Sequence, residues 1–202
     1  MTVPPSPPAR TGRPGPPGTL HEDAVGVLTA WQPDDPGQRR LRADYLDHLA
    51  VHGDALSRSN RRGHLTGSAL VVDVERERVL LTLHPLVGRW LQLGGHIEDT
   101  DTSLVAAALR EAREEGGIDE IEVDPSPLRL DRHSVRCRDA RGDFTMLDHL
   151  DVQFLAIAPT GAVARQSDES LDLRWWAWSA LPEDTDASVR SLVAAARIRV
   201  DA

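Results

Sequence analysis

The segment from Gly94 to Ile118 limits what this chain can fold into more than any other. Leu104, Val105, Ala108, Leu109 and Ala112 recur at helical spacing and form one apolar stripe, while Glu111, Glu114 and Glu115 stand at i, i+3 and i+4 on another face. The spacing predicts a helix over 102–115, with Asp101 or Thr102 as its cap and Gly116-Gly117 as its stop. Like charges on one face weaken a helix by about 0.2–0.5 kcal/mol per pair. They also sit near the C-terminal end, where the helix dipole disfavours anions. Two local penalties in one place point to a compensating cation, and clustered carboxylate oxygens suit Mg2+ or Mn2+. Taken alone, the stretch from Arg110 to Glu115 also suits a solvated face of Glu–Arg pairs. Gly94 and Gly95 ahead of the helix let the backbone approach a ligand closely, and a carbonyl from either could complete a metal shell.

Composition narrows the chemistry. All 23 basic residues are Arg, which excludes a Schiff-base lysine, a Walker-A phosphate loop and a kinase-type nucleotide site. A net charge of -9 argues against stable, sequence-independent binding to a nucleic acid backbone and suits a site whose counter-ions are metals. The lone cysteine, Cys137, excludes an intramolecular disulfide and a multi-cysteine zinc centre, and makes a reducing cytoplasm the natural compartment. No apolar run approaches the ~18 residues of a membrane span, and no secretory pattern is visible at the N-terminus.

A length of 202 residues suits one domain with a small extra element. Residues 1–18 contain seven of the 14 prolines, interleaved with glycine, and read as a disordered tail. Residues 19–60 read as a helical extension, with one stripe of Ala24, Val27 and Leu28 and a second of Leu41, Tyr45, Leu49 and Leu56 after the break from Pro33 to Gly37. Those faces need cover, from the main domain or from a second copy in a homodimer. Residues 61–202 form the main domain. Strands are expected over 65–74 and 79–83 as a hairpin, then over 90–93, 128–135, 147–158 and 171–178, with a closing helix over 186–200. Helices interspersed among more numerous strands give an α+β class, as an α/β/α sandwich.

The Gly94–Ile118 segment resembles the box of the Nudix hydrolase family. Gly95 fills the first glycine of that pattern, and Arg110, Glu111, Ala112, Glu114, Glu115, Gly117 and Ile118 fill its second half in order. Two departures stand out: Asp101 takes the place of the usual Glu, and eight residues rather than seven separate it from Arg110. The resemblance extends over about residues 63–200 and implies a mixed sheet flanked by helices. It also implies Mg2+-dependent hydrolysis, by metal-activated water, of a pyrophosphate bond in a nucleoside diphosphate linked to another moiety. Mn2+ is an alternative ion.

The resemblance makes Glu111, Glu114 and Glu115 metal ligands, with Gly95 supplying a carbonyl, and gives Arg110 the orientation of a carboxylate. Glu169 resembles the general base that some members carry in a later loop, with Asp168 as its rival. His96, His149 and Asp151 are candidates for the substrate cleft, with a small-molecule nucleotide derivative as partner and no membrane. His133, Cys137, His149 and Asp151 lack the tight ligand spacing of a zinc centre. Two other activities compete. One is a catalytically silent nucleotide sensor or interaction domain, disfavoured because all three box glutamates remain. The other is an isoprenoid-diphosphate isomerase, which would ask an isolated Cys137 to act with a Glu.

Overall fold

The computed structural model describes residues 19–138 and 144–201; the expected disorder over 1–18 lies outside the described residues. Helix α1 (Leu20–Ala30) opens on a capping box. Thr19 accepts from the Glu22 amide, and the Glu22 carboxylate accepts from the Thr19 amide. Helix α2 (Pro36–Val51) starts with Pro36 in its first turn and Asp35 accepting from the Gln38 amide, so the expected break ends at Asp35.

The strands are β1 (His64–Val72), β2 (Arg78–Leu83), β3 (Trp90–Leu91), β4 (Leu93–His96), β5 (Glu122–Val123), β6 (Arg129–Arg138), β7 (Phe144–Ile157) and β8 (Asp172–Ala177). Together they make one mixed sheet. β1 runs parallel to β7 and antiparallel to β2 and β4. β6 lies antiparallel to β7, and β8 to β2. The single strand expected over 90–93 is two. β3 pairs with β2 and β4 with β1, so the chain changes partner at Gln92. The two-residue β5 is not among the expected strands; it is too short to carry an alternation signal.

Helix α3 (Leu104–Gly116) covers one face of the sheet and α4 (Ala187–Val200) the other. Alternation along β1 sorts the layers: Leu65, Ala69 and Val71 join clusters with α1, α2 or α3, whereas Leu70 and Val72 join the cluster with α4. This is the expected α/β/α arrangement. Ala24, Leu28, Tyr45 and Leu49 of the extension share a core with Leu130, Leu150, Val152 and Phe154 of the sheet. The main domain itself therefore covers the extension's apolar faces. Among the described residues no helix is long and apolar enough to cross a membrane.

The extension also closes a sheet edge. Gln38 is buried; its Nε2 donates to the Leu130 carbonyl at 3.0 Å and its Oε1 accepts from the Leu130 amide at 2.6 Å. One side-chain amide thus satisfies the outward-facing backbone pair of β6, as a further strand would. Gln38→Leu keeps the volume and orphans both groups. Equilibrium denaturation should show a loss of about 2–4 kcal/mol; a change within about 0.5 kcal/mol would mean water replaces the amide without cost.

Candidate active site

Helix α3 begins later than its sequence predicts. Ser103, not Asp101 or Thr102, is the cap, its hydroxyl accepting from the Ala106 amide, and Gly117 ends the helix at φ 62°. Asp101 is engaged elsewhere. Its two carboxylate oxygens receive Arg110 Nε and Nη2, each at 3.1 Å, and Oδ2 also accepts from the Glu98 amide. The Arg110 guanidinium donates further to Glu111 at 3.0 Å, to Glu114 at 3.0 Å and to the His96 carbonyl at 2.8 Å. One planar cation thus ties the loop before α3 to two of the three glutamates.

Glu111 and Glu115 turn inward and are largely buried, while Glu114 stays more than half exposed. Glu115 accepts from the Gly94 amide at 3.0 Å. Burial pushes Glu115 up to about 7; the Gly94 hydrogen bond opposes this, and Glu111, Glu169 and Glu114 add to it. Burial pushes Glu111 up to about 7 as well, opposed by Arg110 and reinforced by Glu114 and Glu169. The charge of the loop acid Glu169, exposed just before β8, adds to the upward push on both inward carboxylates.

Gly94 and Gly95 are small for different reasons. A Cβ on Gly95 would fall 2.8 Å from a Glu111 carboxylate oxygen, so that carboxylate lies flat against the strand backbone. A Cβ on Gly94 would fall 2.3 Å from Ser68 Cβ and 2.6 Å from its Cα. Gly95→Ala should leave stability nearly unchanged while displacing Glu111, lowering kcat about 100-fold if the carboxylate moves by about 1 Å. Gly94→Ala should force β4 from β1 and cost about 3 kcal/mol. Parallel melting curves and rates on both variants check this; equal losses of stability would contradict it.

The site fits a hard divalent cation. Desolvation and neighbouring acids hold both inward carboxylates near 7; Glu111 shares the Arg110 guanidinium with Asp101 and Glu114, and Glu115 has only the Gly94 amide against it. Their donors are carboxylate oxygens beside a strand backbone without side chains at Gly94 and Gly95, the ligand chemistry of Mg2+ or Mn2+.

The residues expected to line a substrate cleft, His96, His149 and Asp151, share one face of the sheet. Asp151 is buried at 3% exposure, and its carboxylate is occupied by Thr66 and Ser68 hydroxyls at 2.9 and 2.7 Å and by Gln92 and Gln153 amides at 3.2 Å. It ties β1 and β7 to Gln92, the residue between β3 and β4. His96 and His149 meet each other, rings 5.1 Å apart, beside the buried His64, a residue that nothing in the sequence singles out. The side chain of Cys137 lies outside the described residues.

The family model described as NUDIX domain matches residues 64–196. No curated protein shows a significant match. Among solved structures, the E. coli dihydroneopterin triphosphate pyrophosphohydrolase shares 20% identity over 67% of this chain and 95% of its own, with a TM-score of 0.54. A NUDIX-family hydrolase from Clostridium perfringens shares 23% identity over 71% of this chain and 99% of its own, with a TM-score of 0.49. The NUDIX domain of Shewanella oneidensis NrtR, in complex with ADP ribose, shares 24% identity over 76% and 97%, with a TM-score of 0.48.

Proposed function

This chain belongs to the NUDIX domain family, and on that premise we propose that it hydrolyses a pyrophosphate bond in a nucleoside diphosphate linked to another moiety, with Mg2+ as cofactor. The observation that carries this reading is the placing of Glu111 and Glu115, turned inward against the Gly94-Gly95 strand, with Arg110 clamping Glu111 from one side.

Glu111, Glu114, Glu115 and the Gly95 carbonyl would hold the cation. When bound, it neutralises phosphate charge and makes a bound water more acidic. Arg110 holds Glu111 and Glu114 in place through charge-assisted hydrogen bonds and is itself fixed by Asp101. Water attacks one phosphorus in line with the leaving phosphate oxygen. Glu169, the loop acid that the family resemblance offers as general base, takes the proton from that water. With no lysine in the chain, substrate phosphates are met by arginine, by backbone amides and by the cation.

The retention of all three glutamates speaks against a silent sensor. The test is a panel of modified nucleoside triphosphates, ADP-ribose, nucleotide sugars and dinucleotides, incubated with Mg2+ and assayed for phosphate after phosphatase treatment. Turnover of at least one member that stops on chelation is expected. Tight binding of a member with no turnover of any would establish the sensor instead.

A further inference from the structure

The face of the sheet that carries Asp151 also carries a cluster that hydrolysis does not use. His64 of β1, His149 of β7 and His96 of β4 come from three different strands. His64 and His149 are direct cross-strand partners, and His96 pairs with Thr66, two residues along β1. Their rings lie 4.9 to 5.1 Å apart, and one ring nitrogen from each falls within 4.8 Å of the others. His64 is 1% exposed, and among the described residues neither of its ring nitrogens meets a partner at hydrogen-bond geometry, although the nearby Asn60 backbone acts on the ring. Nε2 of His149 is buried and likewise without a partner among the described residues. Leaving such groups unsatisfied costs about 1–3 kcal/mol each, so orphan nitrogens on two of three converging rings call for a common ligand.

We propose that His64, His96 and His149 form a binding site for a first-row transition metal of the Zn2+ class, separate from the carboxylate site for Mg2+. Three imidazoles with free lone pairs are borderline-soft nitrogen donors, which favour such ions over Mg2+. Atoms 4.8 Å apart sit about 2.8 Å from their common centre, so an inward movement of about 0.7 Å reaches the Zn–N length of about 2.0–2.1 Å. Small ring rotations supply that. The nearby carboxyl groups are Asp151, two residues from His149 on the same face, and Asp131, whose Oδ2 meets His133 Nδ1 at 2.7 Å behind His149. With three protein ligands, a fourth position stays open for water or an anion. A metal here also pins β4 beside Gly95, and so stiffens the strand against which Glu111 rests.

The test is a titration of the metal-free, full-length protein with Co2+ in excess Mg2+, read by visible absorption and by proton NMR. One equivalent should give the intense d–d bands of a low-coordinate nitrogen site and three hyperfine-shifted imidazole N–H resonances, and Zn2+ should bleach them. Loss of a ligand should cost more than the roughly 10–100-fold lost when an outer-shell partner is removed, so His149→Ala and His64→Gln should each weaken Co2+ binding more than about 100-fold. The Glu111→Gln/Glu115→Gln double variant should keep the bands. Only weak six-coordinate absorption in the wild type, fewer than three shifted imidazole resonances, or bands lost in the glutamate variant would overturn the proposal. The NMR count needs no variant, so a histidine substitution that impairs folding leaves the test intact.

Discussion

Glu115→Gln should lower kcat by about 1,000-fold while the protein stays folded. Glutamine keeps the volume and an oxygen able to accept the Gly94 amide at 3.0 Å, so the junction of α3 and β4 survives. What disappears is one full negative charge among the carboxylates that would hold the cation. A Lewis-acidic ion contributes several kcal/mol to a phosphoryl transition state; losing about 4 kcal/mol of that is about three decades in rate. Desolvation already works against ionised Glu115, so removing its charge should if anything raise the melting temperature. Rates on a turned-over member of the panel, with circular dichroism melting, separate the two effects. Near-normal kcat in a folded variant would remove Glu115 from the site.

Arg110→Ala should impair both stability and rate, and this distinguishes it from Glu115→Gln. The guanidinium is 20% exposed and Asp101 only 5%, so truncation strands a buried carboxylate and removes the positive charge between Glu111 and Glu114. Breaking a fully buried pair costs about 3–5 kcal/mol; partial exposure reduces the expected loss to about 2–4 kcal/mol. Arg110→Lys should recover little, because one ammonium cannot reproduce the two-point contact with Asp101 as well as the bonds to Glu111, Glu114 and the His96 carbonyl. Urea denaturation of the two variants checks this. Full recovery by lysine would show that charge alone matters here, not the planar fork.

The grouping of Glu111, Glu114 and Glu115 is legible in the sequence because its signal is local, whereas the orienting role of Arg110 comes from the family resemblance. Helical periodicity puts Glu111, Glu114 and Glu115 on one face, and an arrangement that opposes both charge repulsion and the helix dipole asks for a cation. Strand and helix order follows from changes of period. Asp101 is less legible, since it departs from the family pattern in type and spacing. The structure gives it the bond to Arg110, and the extra residue before α3 accompanies the shorter side chain that makes it. His64, Thr66, Ser68, His149 and Asp151 are harder still. They meet only through the parallel register of β1 with β7, two segments some 85 residues apart in the pairing of Thr66 with Asp151. Alternation says that such residues share a face of their own strand; it says nothing of which strand lies beside it. For the same reason the sequence does not show that Asp151 is buried against Thr66, Ser68, Gln92 and Gln153. Gln38 carries no signal at all, because capping the edge of β6 requires that the extension fold back onto it.

If the inward glutamates of α3 hold a divalent cation, Mn2+ should report it directly, since free Mn2+ has a strong electron paramagnetic resonance signal that binding quenches. Titrating the full-length protein with Mn2+ should reveal at least one bound ion in the wild type and its loss in the Glu111→Gln/Glu115→Gln variant. Equal Mn2+ binding by the two proteins, with both folded, would contradict the assignment.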